Sequence, residues 1–93
     1  MMPRSHIFRG TRYRLKFGHT WADETKGETD APNQPKPEIR IRKHLRGLML
    51  LDTLIHEGLH ATLWDLDDDA VHATASDIAR LLWRLGYRKQ SAG

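Results

Sequence analysis

The chain has 93 residues, no cysteine, a net charge of +3 and a hydrophobic fraction of 39%. That is the size of one small domain with a modest core, and it excludes disulfide staples and thiolate zinc fingers, so any zinc must be held by His and carboxylate. No apolar run approaches the ~20 residues that span a bilayer, and Met1-Met2-Pro3-Arg4-Ser5-His6 contains no stretch of signal-peptide length, so a soluble cytoplasmic protein is the expectation.

In chain order, residues 8–17 end in an alternation that predicts a strand with one buried face. Tyr13, Leu15 and Phe17 point one way, Arg12, Arg14 and Lys16 the other, and Gly18 closes the run. Residues 18–37 are rich in Pro, Gly and acids, and read as a long polar loop, mobile or disordered, with Trp21 as its apolar anchor. Glu38-Ile39-Arg40-Ile41-Arg42-Lys43 alternates again. It predicts a short basic edge strand, Ile39 and Ile41 inward and Arg40 and Arg42 outward.

From about Leu45 to Trp64 the period becomes helical, with a stripe of Leu48, Leu51, Ile55, Leu59 and Leu63. Gly58 inside this helix costs about 1 kcal/mol relative to Ala, which points to a close backbone approach there. Asp65 to Asp69 form an acidic break in which Asp67 to Asp69 suit the cap and first turn of a following helix, a reading preferred over a calcium loop because the Gly and terminal Glu spacing of such a loop is missing. A second helix is predicted from about Ala70 to Leu85, with Val71, Ala75, Ile78, Leu82 and Leu85 on its core stripe, Gly86 as C-cap and a short basic tail at 87–93. The short turn makes the two helices antiparallel neighbours. The expected fold is therefore α+β, one domain over 1–93, with a small antiparallel sheet edge of two or three strands on two antiparallel helices.

The first helix carries His56-Glu57-Gly58-Leu59-His60, the pattern H-E-x-x-H. Residues four apart share a helix face, so His56 and His60 can grip one metal ion, and Glu57 can take a proton from a water bound to it. Catalytic zinc usually takes three protein ligands and a water. Glu57 is the last glutamate of the chain, and Leu63 and Leu66 occupy the Gly and His positions of the longer H-E-x-x-H-x-x-G-x-x-H pattern, which leaves His72, Asp77 and the capping aspartates. His72 is the choice on geometry: it lies in the first turn of the second helix, which antiparallel packing brings near His60. Asp52, one turn before His56, either orients an imidazole by accepting its N–H or is an ordinary first-turn residue. Tyr87, Tyr13 and the basic strand residues are available to stabilise an oxyanion, and spacing marks none of them.

The segment His56 to His60, followed by His72-Ala73-Thr74-Ala75-Ser76-Asp77-Ile78-Ala79, resembles the minigluzincins and small phage-encoded zincin-like metallopeptidases. Their second helix carries E-x-x-A-N-x-F-A, whose Glu is the third zinc ligand; here His72 falls at that position. The resemblance spans roughly residues 38–86. It implies a zinc metallopeptidase of minimal zincin fold, with His56, His60 and His72 on Zn2+, Glu57 as general base and proton shuttle, and residues 38–43 as the substrate-side edge. It also admits a virion-associated location.

Two other readings remain. One is a phage or host-interaction protein that keeps zinc for stability and binds a partner without cleaving it. The other is a nucleic-acid-binding module using the basic groups Arg4 to Lys16, Lys36 to Arg46 and Arg80 to Lys89. No aromatic-basic binding motif accompanies those groups, so nucleic acid is the weakest reading.

Overall fold

The computed structural model describes residues 4–18, 20 and 25–89, so the expectation for Trp21 lies outside the described residues. The elements are β1 (Ser5–Phe8), β2 (Thr11–Gly18), β3 (Gly27–Thr29), β4 (Glu38–Arg42), α1 (Gly47–Thr62) and α2 (Asp68–Arg84), an α+β arrangement. No helix among the described residues is long and apolar enough to cross a membrane.

Among the described residues the sheet has four strands in the order β1-β2-β4-β3, and it is mixed rather than antiparallel. β1 and β2 form an antiparallel hairpin, β2 and β4 run parallel, and β3 pairs antiparallel with β4. Three expectations are corrected here. Phe8 belongs to β1, because Arg9 and Gly10 both adopt positive φ (52° and 84°) and turn the chain, as two-residue hairpin loops require. The polar segment 18–37 contains β3. β4 is an interior strand, flanked by β2 and β3, so the edge on that side of the sheet is β3.

The alternation of β2 and β4 does what it predicts on one face. Tyr13, Ile39 and Ile41 are buried, join Leu50 and Ala61 of α1, and are flanked by Phe8, Leu15 and Leu45. Phe17, expected inward, stays exposed. The other face is charged, and Arg40 was expected to point into solvent. Instead it is only 6% exposed, since the carboxylates of Glu28, Asp30 and Glu38 surround its guanidinium at 3.0, 2.7 and 3.2 Å. Arg14 and Lys16 reach Glu38 from β2. Asp30 engages both Nη atoms of Arg40, the two-pronged geometry that gives guanidinium–carboxylate pairs their strength.

α1 runs over the inner face of the sheet. Its buried positions are Leu50, Thr53, Glu57 and Ala61, spaced three, four and four apart. The expected leucine stripe is rotated away from that line: Leu48, Leu51, Ile55 and Leu59 are half-buried and Leu63 is exposed. A Cβ on Gly58 would meet the Phe8 ring of β1 at 3.4 Å, an ordinary packing distance, so the close approach expected at this glycine is not what requires it. α2 packs against α1 and buries Val71, Ala75 and Ala79, whereas Ile78 and Leu85 of the expected stripe are exposed. Asp67 caps α2 by accepting from the Ala70 N–H at 3.0 Å, with Asp68 and Asp69 in the first turn. Gly86, at φ 94°, closes the helix: its own N–H donates to Trp83 O and the Tyr87 N–H to Leu82 O, the Schellman pattern.

Candidate metal and proton-transfer site

The side chains of the H-E-x-x-H pattern diverge as helical spacing requires. His56 and His60 share one face, and their Nε2 atoms stand 3.1 Å apart. Glu57 projects about 100° away, onto the side that faces the sheet. It is 5% exposed, among the most buried polar residues described. Burying a carboxylate without partners is costly, and β3 supplies the partner: Thr29 Oγ1 donates to Glu57 Oε1 at 2.8 Å. Oε2 is left on the side of the imidazoles, 4.0 Å from His56 Nε2. Gly27 makes this close passage of β3 possible, because a Cβ on it would fall 2.8 Å from Glu57 Cγ.

Around these groups lie two adjoining hollows of about 340 and 560 Å³, which share Gly27, His56, Glu57 and His72. β3 forms one wall and the start of α2 the other. Trp64, Asp68 and Asp69 close one end; Lys26, Met49 and Asp52 line the other.

The local electrostatics favour both groups for their chemistry. Burial pushes the Glu57 carboxyl up from its ordinary range, with the Thr29 hydrogen bond acting in opposition. Burial and the neighbouring His72 hold His56 below its usual value, against the pull of Asp52. His56 is therefore neutral at neutral pH, the form that ligates metal, while Glu57 is a stronger base than an exposed glutamate.

Among the described residues, no three His, Asp or Glu side chains already converge as a finished metal cage. The His56–His60 pair nevertheless has ligand spacing. Two nitrogens each 2.0–2.1 Å from a tetrahedral zinc lie about 3.3–3.4 Å apart, close to the 3.1 Å observed. His72 borders the same cleft; its ring centre is 6.1 Å from that of His56, and the residue is exposed. Asp68 Oδ1 lies 3.7 Å from His60 Nε2.

Other expected residues are placed elsewhere. Asp52 lines the cleft, but its carboxylate accepts from Ser76 Oγ of α2 at 3.1 Å. Asp77 faces Arg80 on the surface of α2. Tyr13 is fully buried and donates to Asp30 O, and Tyr87 lines a separate apolar groove with Leu50, Leu54 and Trp83, so neither borders the cleft as an oxyanion donor. Arg40 is held by acids on the opposite face of the sheet. The cationic and imidazole groups that do border it beyond the helix pair are Lys26 and His72. Thr29 and Gly27 were not singled out in the sequence, since three residues between a polar segment and a run of prolines give too little alternation to mark a strand. No protein-family model matches this chain, and no curated protein or solved structure was found to be similar to it.

Proposed function

We propose that this chain is a zinc-dependent peptide hydrolase in which His56 and His60 hold the metal, α2 completes the ligand set with His72, and Glu57 is the general base. The observation that carries the reading is one juxtaposition. Two imidazole nitrogens at ligand spacing stand beside the free oxygen of a buried carboxylate, all opening into one cleft.

Bound zinc would polarise the scissile carbonyl and make the attacking water more acidic. Thr29 holds Oε1 of Glu57, which fixes the carboxylate and leaves Oε2 to take the proton of that water and return it to the leaving amine. The raised pKa of Glu57 suits both halves of this transfer. β3 borders the cleft at the end of the strand order, where an extended peptide would add alongside it by backbone pairing.

The test is Glu57→Gln. The variant is expected to bind zinc with wild-type stoichiometry and to lose at least about a hundredfold in cleavage of a quenched-fluorescence peptide library. Undiminished cleavage would exclude Glu57 as the base. A second reading, a zinc-stabilised protein that binds a partner without cutting it, draws on the exposed Leu63, Trp64 and Leu66 at the acidic end of the helix pair. It predicts that Glu57→Gln retains full biological function.

A further inference from the structure

We propose that Asp68 is a ligand of the metal held by His56 and His60, supplied from the first turn of α2 on the His60 side of the site. This rests on the metal-binding reading above and adds a donor that the H-E-x-x-H pattern and its family resemblance do not specify.

The geometry comes from the register of the two helices. Asp52 meets Ser76 through a 3.1 Å hydrogen bond, the His56 ring faces the His72 ring, and His60 Nε2 faces Asp68 Oδ1 at 3.7 Å. Each advance of four residues along α1 is matched by a retreat of four along α2. One polar seam therefore runs between the antiparallel helices, and its last two steps are made wholly of metal-ligating side chains. Asp68 and His72 are four apart on α2, as His56 and His60 are on α1, so each helix presents a stacked pair to the other.

Within that frame the Asp68 carboxylate stands close to ligand distance from the histidine pair. Its separation from His60 Nε2 exceeds a zinc ligand–ligand spacing of about 3.3 Å by only a few tenths of an ångström. The carboxylate is 92% exposed, so no packing resists the small swing that closes the gap. The cap hydrogen bond of α2 is made by Asp67, so it survives loss of the Asp68 carboxylate. With His72 and Asp68 both on the metal, the histidine pair would sit in a four-ligand set, and the Asp68 carboxylate, 92% exposed, would be open to displacement by water.

The experiment is zinc titration by calorimetry, with cobalt(II) visible spectra as a second readout, on wild type, Asp68→Asn and Asp69→Asn. Asp69 carries the same charge one residue on and borders the same cleft, so it controls for general electrostatic attraction. Circular dichroism of the metal-free proteins checks that α2 is retained. Asp68→Asn is expected to weaken zinc at least about tenfold and to alter the cobalt spectrum, with Asp69→Asn within about twofold of wild type. Equal affinities for the two variants would overturn the assignment while leaving the metal site intact. Absence of zinc from wild type would overturn it together with the metal reading. Weakened binding in Asp68→Asn, in a protein that cleaves no peptide, would uphold the ligand and reject the hydrolase.

Discussion

A single hydroxyl governs the candidate base. Thr29 Oγ1 donates to Glu57 Oε1, and this bond draws the carboxyl pKa down while burial drives it up. Thr29→Val keeps the shape and removes the donor, so burial is then opposed only by the charges of His60 and Arg40 and Glu57 should titrate at a higher pH than in the wild type. A folded-state pKa further above the unfolded value means that more stability is lost as pH rises through it. At neutral pH the variant should be less stable by about 1–3 kcal/mol. Carboxyl 13C titration in the metal-free protein reads the first effect and urea unfolding the second. A midpoint that stays put or falls would show that the hydroxyl does not bond to the carboxylate in solution.

At the level of the element, β4 is held by opposite kinds of chemistry on its two faces. Ile39 and Ile41 face the core, while Arg40 gathers the carboxylates of Glu28, Asp30 and Glu38. The guanidinium hydrogen bond holds Asp30 below its ordinary carboxylate range. Burial works against the charge of Glu38, but hydrogen bonds from Lys16 and Arg40 prevail and it too is lowered. Folded pKa values below the unfolded ones mean that the stabilisation is fully present above about pH 4 and is lost as pH falls through the depressed values. Arg40→Met removes the cation and leaves three acids together, at a cost of about 3–5 kcal/mol. It also reverses the sign. The wild type should lose stability on acidification through the carboxylate range, whereas the variant should gain, because protonation relieves repulsion among the acids. Thermal melts of both proteins across that range decide the point, and parallel curves would dismiss the cluster as a stabilising network.

The same strand shows what sequence patterning conveys and what it omits. Alternation located β2 and β4 and identified Tyr13, Ile39 and Ile41 as inward residues, because a buried face leaves a period-two trace. Helical periodicity, the acidic caps and Gly86 located both helices to within a few residues. The H-E-x-x-H spacing brought His56, Glu57 and His60 together, and the short turn brought the His72 end of α2 beside them. Neither sheet order nor strand direction leaves such a trace. The basic residues of β4 suggested an edge, since a sequence does not reveal that Glu28 of β3, Asp30 and Glu38 of β4 will enclose Arg40. β3 has three residues, too few for any periodicity, yet it carries the Thr29 that hydrogen-bonds the Glu57 carboxylate.

For the whole molecule, size sets the terms. A 93-residue domain has only about 5–15 kcal/mol of net stability, so ligand binding to the folded form alone is a large perturbation. Zinc at a hundredfold over its dissociation constant would add about 2.7 kcal/mol, which in a domain of this size raises Tm by roughly 10–20 °C. Glu57→Gln should show the same rise, while His56→Ala should lose it; differential scanning calorimetry with and without zinc makes the comparison. An equal rise in His56→Ala would place the metal elsewhere.

The seam between α1 and α2 has a consequence for the order in which the protein assembles. Its donors come together by closing the short turn between Thr62 and Asp68, whereas Glu57 and Thr29 must meet across 28 residues of chain. Short closures are formed early and long ones late. An ion that grips both helices would therefore be captured by a helical hairpin before β3 has docked, and stopped-flow refolding should accelerate when zinc is present from the start. Capture and reactivity would then be separated in time. A metal would arrive in a site still open to water, and Glu57 would become buried and fixed only when the three-residue strand β3 closes over it.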